Sequence, residues 1–298
     1  MSEAYHIPVL LHESVSALNI IPDGIYVDVT FGGGGHSRAI LNELGPLGKL
    51  IAFDQDPEAA ENAPNDDRFL LIPWNYRYLK RMLRVAGIDQ VNGILADLGV
   101  SSHQFDEASR GFSYRFDAPL DMRMNTEAGT TAAGILAQWD EAALQDMFSK
   151  NAELRNARQL ARAITMTRAQ TPLLTTGDLV RLAETVMKGE RHKYLAQVFQ
   201  ALRIAVNDEL NGLQDMLQDA AEILQPGGRL VVISYHSLED RIVKDALRPH
   251  EDDNPANMTG QKEEHYRIIA RKPVVPEAEE IRNNPRAGSA RMRIAERQ

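Results

Sequence analysis

Residues 25–37 read IYVDVTFGGGGHS, a short β-branched apolar run that holds one acid and ends in four consecutive glycines. A run of this kind, without polar alternation, is typical of a strand buried on both faces of a sheet. Glycines between a strand and a helix let the backbone approach a ligand closely, with the first amides of the helix facing it. The stretch therefore predicts a strand–loop–helix unit that binds a cofactor.

Short apolar runs alternate with helical segments as far as residue 97, and strand patterns return near the C-terminus. The predicted strands are residues 25–29, 50–54, 69–72, 93–97, 229–234, 266–270 and 290–294. Helical segments at 36–44 and 77–84 separate the early strands, which is typical of a parallel sheet covered on both faces. Residues 249–260 are polar and contain proline, which predicts a loop.

Residues 105–193 carry helical patterns and no convincing strand. One long amphipathic helix is then predicted from Tyr194 to Leu224, ended by the sequence PGG at 226–228. We therefore expect an α/β, Rossmann-like domain formed by residues 1–104 and 194–298, interrupted by an all-helical insertion domain at residues 105–193.

The composition favours a cytoplasmic protein. The chain has no Cys, which excludes disulfides, thiolate nucleophiles and Cys-ligated zinc. No signal peptide is recognisable, and no apolar stretch approaches the ~20 residues of a membrane span. The net charge of −9 argues against a general nucleic-acid binder, because non-specific phosphate binding needs a positive surface.

The glycine loop discriminates between ligand classes. A phosphate-binding P-loop would need Lys at His36 and Gly at Thr30, so that class is excluded. A dinucleotide fingerprint starting at Gly32 fails at one position, Ser37, which weakens an NAD site without excluding it. The third class is S-adenosylmethionine, which is cationic and carries no phosphate. Acids at the first, second and fourth predicted strands, at positions 28, 54 and 97, favour this class.

Several long motifs occur in one order along the chain. They are HIPVLL at 6–11, DVTFGGGGHS at 28–37, DLGVSS at 97–102, RGFS at 110–113, LDMRM at 120–124, FQALRIAVN at 199–207 and HSLEDR at 236–241. With them the chain resembles, nearly end to end, the ribosomal RNA small subunit methyltransferase H family. These bacterial enzymes use S-adenosylmethionine to methylate N4 of a cytidine in 16S rRNA, at the decoding centre. The resemblance implies a class I methyltransferase sheet.

The resemblance also implies a set of cofactor-binding residues. They are Gly34, Gly35, His36, Asp54, Tyr76, Asp97 and Gln104. The chain departs from the family pattern by having Tyr76 and Tyr235 where Phe is usual, and His103 where Pro is common. No metal site is expected, because the eight His show no paired ligand spacing.

The chemistry of methyl transfer suggests which residues are catalytic. The exocyclic amine of cytosine is a poor nucleophile, so the site must align it and accept its hydrogen bond. Asp97, Ser101 and Ser102 follow the fourth predicted strand as candidate acceptors, and His236 follows the fifth as a candidate proton acceptor. The two serines and His236 also have structural alternatives. The serines could be helix caps, and His236 could be a loop histidine bonded to Glu239.

The expected partner is 16S rRNA within the small ribosomal subunit, with no membrane and with a homodimer left open. Positive charge is concentrated at residues 150–206, with ten Lys and Arg against four acids, and at 281–298, with five Arg against one Glu. We expect RNA contact there. Two alternatives remain: an NAD-linked Rossmann oxidoreductase, and a non-catalytic RNA-binding ribosome assembly factor.

Overall fold

The structure is a computed structural model that describes residues 8–248 and 265–298, without the side chain of Ser102. The predicted loop at 249–260 and the first two residues of the motif at 6–11 lie outside the described residues. The chain divides into two compact units. We call Met1–Gly99 with Leu210–Gln298 the sheet unit, and Val100–Glu209 the helical unit.

The described part of the sheet unit contains a seven-stranded sheet. Its strands are β1 (Ile25–Asp28), β2 (Lys49–Phe53), β3 (Phe69–Ile72), β4 (Val91–Asp97), β5 (Leu224–Ser234), β6 (Tyr266–Ile268) and β7 (Arg291–Arg297). The strand order is β3-β2-β1-β4-β5-β7-β6, and all pairs are parallel except those made by β7. The predicted α/β architecture is confirmed.

The helices are shared between the two units. In chain order they are α1 (Leu11–Leu18), α2 (Gly35–Glu43), α3 (Leu79–Val85), α4 (Ser102–Asp106), α5 (Ala132–Gln138), α6 (Glu141–Ala152), α7 (Ala157–Arg168), α8 (Thr176–Val186), α9 (Arg191–Asn207), α10 (Glu209–Ile223), α11 (Ser237–Ala246) and α12 (Ala278–Asn283). Short 3₁₀ helices occur at Pro57–Asn62, Tyr76–Tyr78, Ala108–Arg110 and Pro285–Ser289. None of the described helices is long and apolar enough to cross a membrane.

Both faces of the sheet are covered, because successive side chains of a strand point to opposite faces. In β1, Tyr26 packs with residues of α1 and α2, whereas Val27 packs with residues of α3, α10 and α11. Tyr26 and Val27 are almost fully buried. This burial on both sides explains why the strand reads as an uninterrupted apolar run.

The helical unit has its own apolar core. Phe148 of α6, Leu160 of α7 and Leu202 of α9 are fully buried in it. Within the described residues of this unit the only strand-like pairing is an isolated bridge between Pro119 and Thr175.

The predicted helix from Tyr194 to Leu224 is wrong in one respect, because it is two helices. Asp208 adopts a left-handed conformation with φ of 50°, which ends α9 before α10 begins. Tyr194 and Phe199 of α9 are buried in the helical core. The helical unit therefore extends to Glu209, sixteen residues beyond the expected boundary at 193.

Candidate functional site

The strand order places a site at the carboxyl ends of the central strands. β1 lies between β2 and β4, with β2 and β3 on one side of it and β4 and β5 on the other, so the strand order reverses at β1. Open α/β sheets bind ligands outside the carboxyl ends of the strands at such a switch point. Asp28 ends β1, Asp54 follows β2 and Asp97 ends β4, so the structure brings these three acids to the same edge of the sheet.

The glycines of the loop differ in what they require. Gly34 has φ of 74°, and a Cβ there would lie 2.8 Å from the ring of Phe31. A Cβ on Gly35 would overlap Pro8. Gly33 is exposed, and a Cβ on it would meet nothing within 4 Å. Backbone conformation and packing thus account for Gly34 and Gly35, while Gly33 leaves open space for a ligand.

A clamp of side chains holds this loop in place. Arg38 donates from Nη1 to the carbonyl of Gly33 at 2.6 Å and from Nη2 to the carbonyl of Asn62 at 2.9 Å. Asn62 Nδ2 in turn donates to the carbonyl of Gly32 at 3.1 Å. The loop is therefore fixed before any ligand arrives, which lowers the entropy lost on binding.

Asp54 is hydrogen-bonded to the glycine loop and is half-buried, so part of the residue is accessible to solvent. Its Oδ2 accepts from the amide of Gly32 and its Oδ1 from the amide of Asp56, each at 2.8 Å. Burial raises the pKa of Asp54 to about 6, against the effect of these hydrogen bonds.

Asp28 differs from Asp54 because it is closed off from solvent. Its side chain accepts from Ser37 Oγ at 2.7 Å and from the amide of Thr30 at 3.1 Å, and the residue is 1% exposed. Burial raises the pKa of Asp28. The contacts in the structure give it the structural task of joining β1 to α2.

Asp97 lies between a tyrosine and a histidine. Tyr235 donates its hydroxyl to Asp97 Oδ1 at 2.7 Å, and His36 Nδ1 is 3.8 Å from Asp97 Oδ2. The Asp97 side chain keeps 22% of its surface exposed. Burial nevertheless raises the pKa of Asp97 to about 6, although His36 and Tyr235 favour its charged form.

His36 is buried and lies within 3.2 Å of the carbonyl of Val9 through Nε2. Burial lowers the pKa of His36, despite the nearby Asp97 carboxylate. The lowered pKa favours the neutral ring at neutral pH, and the contact of Nε2 with the Val9 carbonyl fixes its position.

His236 and Glu239 form the first turn of α11, directly after β5. His236 Nδ1 accepts from the amide of Glu239 at 3.3 Å, and Glu239 Oε2 accepts from the amides of Tyr235 and His236 at 2.8 and 3.2 Å. His236 Nε2 is 3.1 Å from Glu239 Oε1, but without hydrogen-bond geometry. The structure thus gives His236 the capping task that the sequence offered as its structural alternative.

The other predicted site residues lie in local structures of their own unit. Tyr76 is half-buried and begins a 3₁₀ helix in the sheet unit. In the helical unit, Ser101 Oγ accepts from the amide of Gln104, and Gln104 Oε1 accepts from the amide of Ser101, both at 3.1 Å. This reciprocal cap starts α4. Ser102 is the first residue of that helix, and its side chain lies outside the described part of the chain.

Comparison with known proteins identifies the family. The sequence model of the MraW methylase family matches residues 3–298. The chain belongs to the MraW methylase family. Two relatives named ribosomal RNA small subunit methyltransferase H, from Bacteroides fragilis YCH46 and Bacteroides thetaiotaomicron, are each 51% identical over 296 residues. Both alignments cover 98% of this chain and 97% of the relative. A third, from Phocaeicola vulgatus, is 48% identical over the whole of both chains.

Membership of the MraW methylase family confirms the predicted enzyme class, an S-adenosylmethionine-dependent methyltransferase. The two alternatives, an oxidoreductase and a non-catalytic assembly factor, are not supported.

The residues at the switch point fit the cofactor of a MraW methylase. Asp54 and Asp97 are partly accessible carboxylates whose pKa is raised by burial, so an added positive charge lowers the free energy of their charged forms. S-adenosylmethionine supplies such charge on its sulfonium and ammonium groups. A pyrophosphate would instead place negative charge beside both acids.

Sequence reasoning did not find the residues that hold the site in place. Arg38 and Asn62 clamp the glycine loop, and Tyr235 binds Asp97 across two strands. No local motif marks any of them. The only signal for Tyr235 is its departure from the usual Phe, which adds the one atom that reaches Asp97.

Proposed function

We propose that this chain transfers a methyl group from S-adenosylmethionine to N4 of a cytidine in 16S rRNA. The observation that carries the proposal is the presence of two partly exposed acids at one edge of the sheet, Asp54 bonded to the glycine loop and Asp97 at the end of β4, in a member of a methylase family. The printed names of the relatives support small-subunit ribosomal RNA as the substrate.

The proposed cofactor-binding residues have separate tasks. They are Gly34, Gly35, His36, Asp54, Tyr76, Asp97 and Gln104, and the open space at Gly33 adds that residue to the set. Asp54 accepts hydrogen bonds from ribose hydroxyls. Gly34 and Gly35 shape the backbone, and Arg38 holds it in that shape. The bound cofactor supplies an electrophilic methyl group.

Asp97 is the proposed acceptor for the reacting base. A cytidine that has left its stack presents its exocyclic amine to a groove, which is least costly in single-stranded RNA. A charged Asp97 accepts a hydrogen bond from that amine and weakens the delocalisation of its lone pair. Its pKa of about 6 suits it to take the proton that the amine loses. Ser102 and His236 are the other proposed catalytic residues.

The proposed substrate form is the assembled small subunit rather than naked RNA. The positive regions at 150–206 and 281–298 are the proposed contacts, with the helical unit serving RNA recognition. A homodimer stays a prediction, which light scattering of the purified protein checks.

The test is methyl transfer from tritiated S-adenosylmethionine to small subunits that lack the modification, with naked 16S rRNA in parallel. We expect label in N4-methylcytidine after nuclease digestion. Label absent from cytidine would contradict the proposal.

A matched pair of variants ties the activity to the site. Gly33→Val fills the open space beside the loop, so we expect loss of cofactor binding without loss of stability. Gly33→Ala adds less volume and should lose less affinity. Calorimetry with S-adenosylmethionine and thermal melts measure both. Unchanged affinity in Gly33→Val would place the cofactor elsewhere.

A further inference from the structure

An exposed aromatic and basic surface of the sheet unit flanks Tyr76, one of the proposed cofactor-binding residues, and does not include it. It is formed by Trp74, Arg77, Tyr78, Arg81 and Arg84, which we call the 74–84 surface. Trp74 is 49% and Tyr78 39% exposed, although both are large aromatic residues. Their ring centroids are 5.8 Å apart at an interplanar angle of 85°, so the two rings form one edge-to-face platform.

The basic residues share one side of the same segment. Arg81 and Arg84 are three residues apart in α3 and lie on one face of it, and Arg77 in the preceding 3₁₀ helix lines the same groove. The opposite face of α3 is fixed in the core through the buried residues Leu79 and Leu83. The helix is therefore anchored in the core, and Arg81 and Arg84 on its other side are exposed to solvent.

Charge on this surface is only partly neutralised. Arg77 pairs with Asp215 at 2.9 Å, and Lys80 pairs with Glu222. Arg81 and Arg84 are exposed and have no acidic partner in the described chain. Together with Arg77, Tyr78, Lys80 and Asp219 they line a groove of about 330 Å³.

Exposed aromatic rings next to exposed arginines are typical of a surface that binds single-stranded nucleic acid. Exposed charges alone are common on helices, but two exposed rings beside them cost free energy unless something covers them. Single-stranded nucleic acid carries a flat base and a phosphate in each unit. Aromatic side chains stack on the bases, and arginines bind the phosphates.

We propose that the 74–84 surface binds single-stranded RNA of the substrate, with bases stacked on Trp74 and Tyr78 and phosphates bound by Arg81 and Arg84. This inference rests on the proposed function, because that function makes RNA the substrate. It adds a contact region on the sheet unit to those expected from charge at 150–206 and 281–298.

The first experiment uses tryptophan fluorescence. The chain has two Trp, so in the variant Trp139→Phe all tryptophan fluorescence comes from Trp74. The probe is a 5′-labelled single-stranded RNA of about 12 nucleotides, within the range of single-strand binding sites. We expect this RNA to quench Trp74 over the same concentrations that raise the anisotropy of its label. RNA that binds by anisotropy without changing the Trp74 emission would overturn the stacking contact.

The second experiment removes the phosphate contacts. In the double variant Arg81→Glu/Arg84→Glu, two lost contacts should reduce the salt slope of RNA binding by about 1.4, which is about 25-fold in affinity near 0.1 M salt. Lys49→Glu/Lys272→Glu makes the same charge change at two exposed sites of the sheet unit and is the matched control. An equal loss in both double variants, or none in either, would overturn the proposal.

The two proposals fail in distinguishable ways. If wild-type protein methylates small subunits and the Arg81→Glu/Arg84→Glu variant does so with unchanged KM, the 74–84 surface fails and the proposed function stands. If wild-type protein methylates no RNA, the proposed function fails, and the anisotropy and quenching still report on the surface. Trp74→Phe retains a ring and should keep more affinity than Trp74→Ala, which loses about fivefold or more.

Discussion

Two carboxylates of the helical unit and two of the sheet unit differ in opposite directions from an ordinary aspartate. In the helical unit, Asp121 accepts two hydrogen bonds from the Arg123 guanidinium, each at 2.8 Å, and Asp178 completes the cap of α8. Burial alone would raise the pKa of Asp121 and Asp178, but these hydrogen bonds hold both below the usual range. In the sheet unit, burial prevails and raises the pKa of Asp54 and of Asp97 to about 6.

This difference separates acids that stabilise the fold from acids that form a site. A carboxylate with a lowered pKa stabilises the folded chain at neutral pH, whereas one with a raised pKa destabilises it there. Raised values also concentrate where a site needs charge for its ligand or reaction. Substitution of Asp54 or Asp97 should therefore reduce activity, and substitution of Asp121 or Asp178 should reduce stability.

The largest expected effect is that of Asp97→Asn. Asn keeps an oxygen that accepts from Tyr235 but loses the charge, so we expect kcat to fall by about 10²–10⁴. The melting temperature should stay level or rise, because a buried charge has been removed. Single-turnover methyl transfer and calorimetric melts measure the two quantities. Activity within tenfold of wild type would contradict the role assigned to Asp97.

Asp178→Ala is the counterpart in the helical unit. Asp178 Oδ2 accepts from the amides of Leu174 and Thr175, and its loss leaves the start of α8 without this cap. We expect the free energy of unfolding to fall by about 1–2 kcal/mol. Affinity for S-adenosylmethionine should not change. Asp178→Asn, which retains an acceptor, is the control, and urea denaturation is the measurement. Equal stability of the two variants would remove the cap as the cause.

The two sets of acids should also differ in how they make cofactor affinity and folding stability depend on pH. Asp54 and Asp97 must be charged to attract the cofactor, so its affinity should fall by up to about tenfold per pH unit for each acid as pH drops below about 6. Their folded pKa values exceed the unfolded value of ~3.9, so their destabilisation is complete above pH 6 and is relieved as pH falls toward 4. The stability from Asp121 and Asp178 persists above ~4 and is lost only below it, through their lowered folded pKa values.

Calorimetric titrations and melts at pH 5, 6, 7 and 8 test this contrast. Between pH 7 and 5 we expect cofactor affinity to weaken while these acids cause no loss of stability. A melting temperature that falls in step with the affinity over this interval would break the comparison, because one titration would then control both.

Sequence alone predicted the strands of the sheet unit. It did not predict the break between α9 and α10 or the different environments of the four glycines. β1, β2 and β4 were recognisable because burial on both faces demands uninterrupted apolar runs. The break at Asp208 was not, because the apolar spacing continues through it and the turn needs only one left-handed residue. The four glycines look alike in sequence, yet Gly34 and Gly35 are constrained by neighbours and Gly33 faces open space. Pro8, which constrains Gly35, is 27 positions away in the sequence, and the contact of the Phe31 ring with Gly34 exists only once the loop has folded.

The smallest expected effect, in Tyr235→Phe, tests whether Asp97 is the group that titrates. The Tyr235 hydroxyl favours the charged form of Asp97, so its removal should raise the pKa of Asp97 further above 6. We expect the acidic limb of the rate profile to move up by about half to one pH unit, and the plateau rate to stay within about threefold. The ring that packs near Gly99 is retained, so stability should change little.

Tyr266→Phe provides the control, because it removes another buried hydroxyl of the sheet unit, one that lacks a hydrogen-bond partner among the described residues. That variant should leave the acidic limb in place. If Tyr235→Phe also leaves it in place, the limb belongs to another group. Asp54, whose pKa is likewise raised to about 6 and which has no contact with Tyr235 among its hydrogen bonds, would then be the acid that activity requires.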